Sequence, residues 1–208
     1  MVYSTYQAYL KAAPNILAEH LSIARKEGFT LGIKLVRGAY MGSDPRHLIH
    51  DTKADTDAAY DSIAESVIRR EYGRILRPQI GEENEPFPDV SLVLAGHNLE
   101  SARKAQIIRD SQIREGGHRI DMIYAQLQGM ADEVSCELIQ AASYSQDQDR
   151  SVDPPHVYKY LVWGTTGECM KYLLRRAQEN KDAIQRTRDG RNAMMVELLR
   201  RVKTLLWI

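Results

Sequence analysis

A net charge is the first thing this 208-residue chain lacks: 28 Lys and Arg stand against 28 Asp and Glu. Holding nucleic acid by bulk electrostatics needs a basic excess or a basic face, so that class is set aside. Cysteine is scarce, and Cys136 and Cys169 are too few and too far apart for a disulfide scaffold or a zinc site. No run of about 18 apolar residues occurs, which leaves no candidate transmembrane helix. The opening Met1-Val2-Tyr3-Ser4-Thr5 has neither a signal-peptide core nor an Arg-rich amphipathic presequence. The six histidines show no HxH or HExxH spacing, so no metal site is expected. GxSxG, phosphate-loop and dinucleotide glycine motifs are missing too. With 43% hydrophobic and 27% charged residues, the chain reads as an intracellular, enzyme-sized globular domain.

Short apolar runs alternate with longer helical ones. Residues 31–36, 90–95, 120–127 and 157–163 are bounded by Gly, Pro or polar residues, as buried parallel strands should be, and residues 2–8 are a fifth candidate. Helices are predicted over 14–26 with Pro14 in the first turn, from Asp51 or Thr52 to Tyr72, and over 99–114 with Asn98 as N-cap. A further helix is capped by Thr165 or Thr166 and includes Met170, Leu173, Leu174 and Ala177; a last amphipathic one covers roughly 189–206. Linkers are expected at 79–89 and 144–156. This alternation means α/β with a parallel sheet. Polar residues follow several strands (Arg37-Gly38, His97-Asn98, Gln126 to Gln128), which favours a (β/α)8 TIM-type barrel over a doubly wound sheet. A full barrel takes about 250 residues and eight strands, so residues 1–208 are expected to form one partial barrel domain, truncated to C-terminal strands and helices.

Four clusters carry candidate chemistry. Lys34 sits in an apolar strand, where a cation is costly unless an anion, a ring system or a carboxylate meets it; the alternative is a solvated strand-end cation. Gly38 lets a ligand approach the backbone. His97 either faces a ligand at the barrel mouth or merely precedes Asn98, the cap of the next helix. Arg175 and Arg176 point about 100 degrees apart on a helix, so one leans toward an interior and suits a carboxylate, unless Arg175 and Glu179 are an ordinary i,i+4 surface pair. Tyr160 and Trp163, on the strand before, either cover an apolar ligand or belong to the core.

Six segments occur in a fixed order: TYQAYLK at 5–11, IKLVRGAYM at 33–41, LAGHN at 94–98, QLQGM at 126–130, KYLVWG at 159–164 and YLLRRAQEN at 172–180. Together they resemble the C-terminal catalytic part of the proline dehydrogenase family, and the stretch DPRHLIHDTKADTD is similar to fungal members. The resemblance implies a distorted (β/α)8 barrel holding FAD, without a covalent link, at the C-terminal ends of its strands. It places Gln7 on the flavin ring and Lys34 beside the reactive part of the flavin. Arg37, Gly38 and Ala39 would meet the phosphates and ribityl chain, with Tyr40 alongside. His97 and Asn98 lie against FAD; Gln126 and Leu127 open the segment, running to Met130, that lines its adenine end. Arg175 and Arg176 grip the substrate carboxylate, Tyr160 packs on the proline ring, and Glu179 orients its neighbours on the cofactor side. The catalytic set by resemblance is therefore Lys34, Tyr160, Arg175 and Arg176.

The implied reaction oxidises L-proline to 1-pyrroline-5-carboxylate and passes electrons to a membrane quinone, with peripheral contact at the mitochondrial inner membrane. Gly96 stands where the family writes threonine, and Val162-Trp163 where smaller residues or proline are usual. The family's first strands would lie upstream of Met1, so the chain is expected to be a truncated gene product, a gene-model fragment or one half of a split barrel, without wild-type-like turnover by itself and with self-association or a complementing half-barrel as candidate partners. The rival expectations are a non-catalytic remnant that binds flavin or a full-length subunit, and a hydroxyproline-preferring flavoenzyme.

Overall fold

The structure is a computed structural model and describes residues 2–147, 153–179, 194–196 and 198–202, with side chains described except at 144–147, 175 and 177–179. The elements run β1 (Tyr3–Gln7), α1 (Ala13–Glu27), β2 (Leu31–Val36), a 3-10 turn (Arg46–Leu48), α2 (Lys53–Arg69), β3 (Val90–Ala95), α3 (Leu99–Arg114), β4 (Asp121–Leu127), α4 (Asp132–Asp147), β5 (Val157–Tyr160) and α5 (Thr166–Glu179). All four strand pairings are parallel and the sheet order is β1-β2-β3-β4-β5. Right-handed crossovers in an unbroken sequential order place every crossover helix on one face, whereas a doubly wound sheet reverses direction part-way. This is the winding of a TIM-type barrel, present here as five strands.

Burial follows from that winding. On β2, β3 and β4 the side chains of Leu31, Ile33, Leu35, Val90, Leu92, Leu94, Met122 and Tyr124 enter one core. They meet Leu17 and Leu21 of α1, Ile63 and Val67 of α2, Ala102 and Ala105 of α3, and Val134 and Leu138 of α4. The alternate residues Lys34, Val36, Val93, Ala95, Ile123, Ala125 and Leu127 are half-buried on the opposite, helix-free face, the face that lines a barrel's inside.

Helix ends follow their local chemistry. Thr52 caps α2 through a reciprocal box with Asp55, and Asn98 Oδ1 accepts from the Ser101 N–H at 3.2 Å to start α3. α2 stops at Arg69, before the expected Tyr72, because Arg70 turns left-handed at φ 57°. Helix α4 was not anticipated: among its described side chains only Val134 and Leu138 are apolar residues that enter the core, so its apolar stripe is too thin to read from spacing. Strand β5 ends at Tyr160, not 163, since its register partner Leu127 is the last residue of β4 and no ladder remains. Trp163 is consequently 94% exposed. The helix expected at 189–206 is helical where described, at 194–196 and 198–202; its remainder, and 148–152 of the second linker, lie outside the described residues.

Two polar anchors fasten the loops. Ahead of β3, the Glu82 carboxylate accepts from Lys26 Nζ and Ser22 Oγ, each at 2.8 Å, and pairs with Arg25 at 2.9 Å. Ahead of β5, Asp153 takes the Arg109 Nε–H at 2.6 Å and a second bond from Arg119. Its carbonyl accepts from Gln106 Nε2 at 2.6 Å and its N–H donates to Asp110 at 3.0 Å. With side-chain exposures of 8% and 11%, Arg109 and Asp153 form a desolvated pair. Asp153→Ala strands the guanidinium and should cost about 3–5 kcal/mol in denaturant unfolding. Bonds from Lys26 and Ser22, with Arg25 nearby, hold the Glu82 carboxyl down at about 2 against an ordinary 4.5. A depressed carboxylate stabilises the fold above its unfolded pKa and loses that contribution as pH falls through the folded value. Glu82→Gln should therefore lower the melting temperature at neutral pH, and the gap to wild type should close between pH 4.5 and about 2.

Candidate functional site

The C-terminal ends of the strands, with α5 beside them, gather cations around an aromatic pair. Strand alternation puts Lys34 on the helix-free face, in register with Thr5 on β1 and Val93 on β3. Its Nζ lies 5.4 Å from the Tyr160 ring centroid, and among the described residues no carboxylate pairs with it. The Tyr160 ring meets that of Tyr172 at 6.0 Å and 39°. One helical turn on, the Arg176 guanidinium carbon lies 5.5 Å from the Tyr172 ring, and Arg176 Nη2 donates to the Ala39 carbonyl at 3.4 Å. Lys34 and Arg176 thus flank two phenol rings that meet at a tilt. Such a setting suits a small ligand with an anionic end and an apolar body, beside a planar electron-rich group.

The loop after β2 is pinned from several sides. Gln7 Oε1 accepts the Ala39 N–H at 2.9 Å, which fixes the orientation of that carboxamide and leaves its NH2 for another partner. Arg37, expected to meet the cofactor phosphates, is engaged by the helix layer. One residue beyond Val36, alternation turns it toward α2 and α3, where it stacks on Tyr60 at 4.2 Å and donates to Asp57 at 2.6 Å and Ser101 at 2.7 Å. Only its Nη1 is buried without a partner among the described residues. Burial raises the Asp57 carboxyl, but bonds from Lys53 and Arg37 outweigh that and leave it below the ordinary range. Burial likewise raises the Tyr60 phenol, against the opposing pull of Arg37.

Gly38 also has a different reason from the one expected. A Cβ there would lie 2.5 Å from the ring of Tyr9, a side chain only 1% exposed whose hydroxyl donates to Asp44. The glycine accommodates a tyrosine. His97 Nε2 accepts the Leu127 N–H at 3.1 Å, so the ring carries no proton on that nitrogen and ties the end of β3 to that of β4. Asn98 spends its side chain on the α3 cap. Gln126 faces the helix layer, 3% exposed and bonded to Ser135 at 3.0 Å; its side chain does not line the mouth, whereas half-buried Leu127 is on the open face. Tyr40 is exposed in the loop beyond Ala39. Arg175 and Glu179 belong to α5, but their side chains lie outside the described residues. Tyr172 was missed from sequence, although its i,i+4 spacing to Arg176 was a usable signal.

A model of the family described as proline dehydrogenase matches residues 1–189. The chain belongs to the proline dehydrogenase family. A probable mitochondrial proline dehydrogenase of Schizosaccharomyces pombe is 34% identical over 207 residues, covering 97% of this chain and 40% of the relative. A hydroxyproline dehydrogenase of Mus musculus is 34% identical over 204 residues, with the same 97% and 40% coverage. Proline dehydrogenase 1, mitochondrial, of Caenorhabditis elegans is 33% identical, over 98% of this chain and 30% of its own length. This chain therefore spans 30–40% of the length of these relatives. Among solved structures, proline utilization A with proline bound in remote sites superposes with a TM-score of 0.60 at 21% identity, over 86% of this chain and 16% of that one. The protein of that name from Bdellovibrio bacteriovorus, inactivated by N-propargylglycine, gives 0.58 at 19%, with the same coverage. At these identities the likeness is one of fold, and it places the five strands within a proline dehydrogenase barrel.

The fit of a flavin to this family site rests on Lys34: a half-buried ammonium whose one described contact is a phenol ring suits an electron-rich, anion-forming ring system. Gly38→Ala should cost about 1–3 kcal/mol by overlap with Tyr9. A Tyr9→Ala background should abolish most of that penalty in thermal melts, because the ring it collides with is gone.

Proposed function

We propose that this chain forms the substrate-gripping mouth of an FAD-dependent dehydrogenase that oxidises L-proline to 1-pyrroline-5-carboxylate. The observation that carries this reading is the pair of cations flanking two tyrosines at the C-terminal ends of parallel strands, with Lys34 at 5.4 Å from Tyr160 and Arg176 at 5.5 Å from Tyr172. Arg176, with Arg175 beside it in sequence, takes the proline carboxylate by charge-assisted bonds. Tyr160 and Tyr172 cover the methylene edge of the ring and keep water from it. Lys34 stands by the flavin ring, with the carboxamide NH2 of Gln7 nearby, and Leu127 and the backbone at His97 and Asn98 bound the rest of the mouth. The flavin, when bound, accepts the hydride from the ring carbon next to nitrogen. The chain's own share is orientation: a carboxylate fixed at one end leaves one C–H directed at the acceptor.

The relatives named mitochondrial support a mitochondrial setting, and a membrane quinone is the acceptor this reading assigns. Hydroxyproline is a second substrate candidate, because the mouse hydroxyproline dehydrogenase is as similar as the S. pombe proline dehydrogenase and the same carboxylate grip serves both. The ratio of kcat/KM on the two imino acids decides between them.

The test is a visible spectrum of the purified chain followed by anaerobic addition of proline. A flavin spectrum that bleaches supports the reading. Flavin without bleaching, or no flavin, favours a remnant without turnover and sets the reading aside for this chain alone. In a protein that does bleach, Arg176→Ala should weaken proline binding by about 2–5 kcal/mol while flavin remains bound. Unchanged proline affinity would remove Arg176 from the carboxylate site.

A further inference from the structure

Two elements that are distant in sequence, β1 and α5, converge on one residue of the loop after β2. Gln7, the last residue of β1, accepts the Ala39 N–H at 2.9 Å. Arg176 of α5 donates to the Ala39 carbonyl at 3.4 Å. Arg37, two residues earlier, is held by Asp57 and Ser101 at 2.6 and 2.7 Å, so the chain enters Ala39 from a fixed point. We propose that Gln7 is a positioning residue for Arg176: by holding the Ala39 N–H it fixes the Gly38–Ala39 peptide, which sets where the next peptide begins and so where its Ala39 carbonyl meets the guanidinium that a substrate carboxylate would use. The inference rests on the carboxylate-binding reading given above for Arg176.

The geometry explains why the device is indirect. Ala39 has no side chain able to reach α5, so its carbonyl is its available acceptor, and the direction of that carbonyl depends on the backbone torsions between Arg37 and Tyr40. Two restraints set those torsions: the Arg37 side chain before the residue and the Gln7 carboxamide on it. At 3.4 Å the bond to Arg176 is longer than the ordinary N–H···O range, so it restrains the guanidinium loosely. It engages one N–H of Nη2 out of the five donors of the fork. Losing the Gln7 acceptor leaves the Ala39 N–H unsatisfied and frees the Gly38–Ala39 peptide, which loosens the following peptide and its Ala39 carbonyl, and the guanidinium then samples positions from which a carboxylate cannot be held at two points.

The experiment is a double-mutant cycle on the full 208-residue chain. It is read by calorimetric titration with tetrahydrofuran-2-carboxylate, an analogue with an ether oxygen in place of the proline ring nitrogen. Gln7→Met, similar in length but without the acceptor, should weaken binding roughly five- to tenfold. In an Arg176→Lys background, where the fork is gone, the same change should cost less than about twofold, because a residue acting through Arg176 has nothing left to position. Gln7→Asn, whose acceptor is one methylene short, gives the same expectation should Gln7→Met fail to fold. Faster hydrogen exchange at the Ala39 amide in either variant, with an unchanged melting temperature, accompanies the expected result. An equal loss in both backgrounds means that Gln7 touches the ligand or cofactor directly, and it overturns the proposal. No loss in the wild-type background also overturns it. If Arg176→Lys leaves the affinity unchanged, or wild type does not bind the analogue, the carboxylate reading itself has failed, an outcome distinct from an inert Gln7.

Discussion

Everything in this chain hangs on the two-sided character of a parallel strand whose neighbours are added in sequential order. Because each crossover packs on the same face, one set of alternate side chains is committed to helices and the other is left facing inward. Leu31, Ile33 and Leu35 are spent on the core, and Lys34 between them is thereby delivered to the helix-free face. A one-residue slip of β2 would bury the ammonium under α1 and α2 and expose three aliphatic side chains, so register is held by hydrophobic burial and the site inherits its precision.

The same alternation explains which polar residues serve the mouth and which support it. Arg37 and Gln126 fall on helix-facing positions and become structural: one joins β2 to α2 and α3, the other joins β4 to α4. Their polarity is accommodated because each finds partners within the helix layer, which a buried guanidinium or carboxamide requires. The Arg109–Asp153 pair works in the same way at the opposite end of the sheet, where polar groups stabilise rather than react. Backbone atoms are a further means by which side chains shape the mouth, as His97 does through the Leu127 N–H and Gln7 through the Ala39 N–H.

The arrangement at α5 has a further consequence for the chemistry. Tyr172 and Arg176 are four residues apart and so share a helix face, and that face meets Tyr160 of the preceding strand. On the proposed reading, aromatic cover and carboxylate grip would be carried by one short strand–helix unit, and the cation for the cofactor would come from β2. Substrate and cofactor contacts would then arrive on different elements, with the Ala39 loop touching both β1 and α5.

Much of this was legible in the amino-acid order. Hydrophobic periodicity located β2, β3, β4 and α3 to within a residue, since strongly apolar runs bounded by glycine, and a helix opened by Asn98, leave little choice. The six motif segments pointed to a proline dehydrogenase, which the family match bears out. Helix α4 was not legible, because two buried aliphatic residues make too weak a stripe, and β5 was read too long because strand length depends on where the neighbouring strand stops. Side-chain direction was the larger limit. That Gly38 accommodates Tyr9, that Arg37 turns to Asp57 and Ser101, and that Tyr172 stands between Tyr160 and Arg176 are contacts between residues far apart in sequence or on different elements. Local pattern names the residues able to do chemistry and the elements that bear them. Which of those residues face one another is decided by packing, because it depends on the register and crossing of elements that share no local sequence.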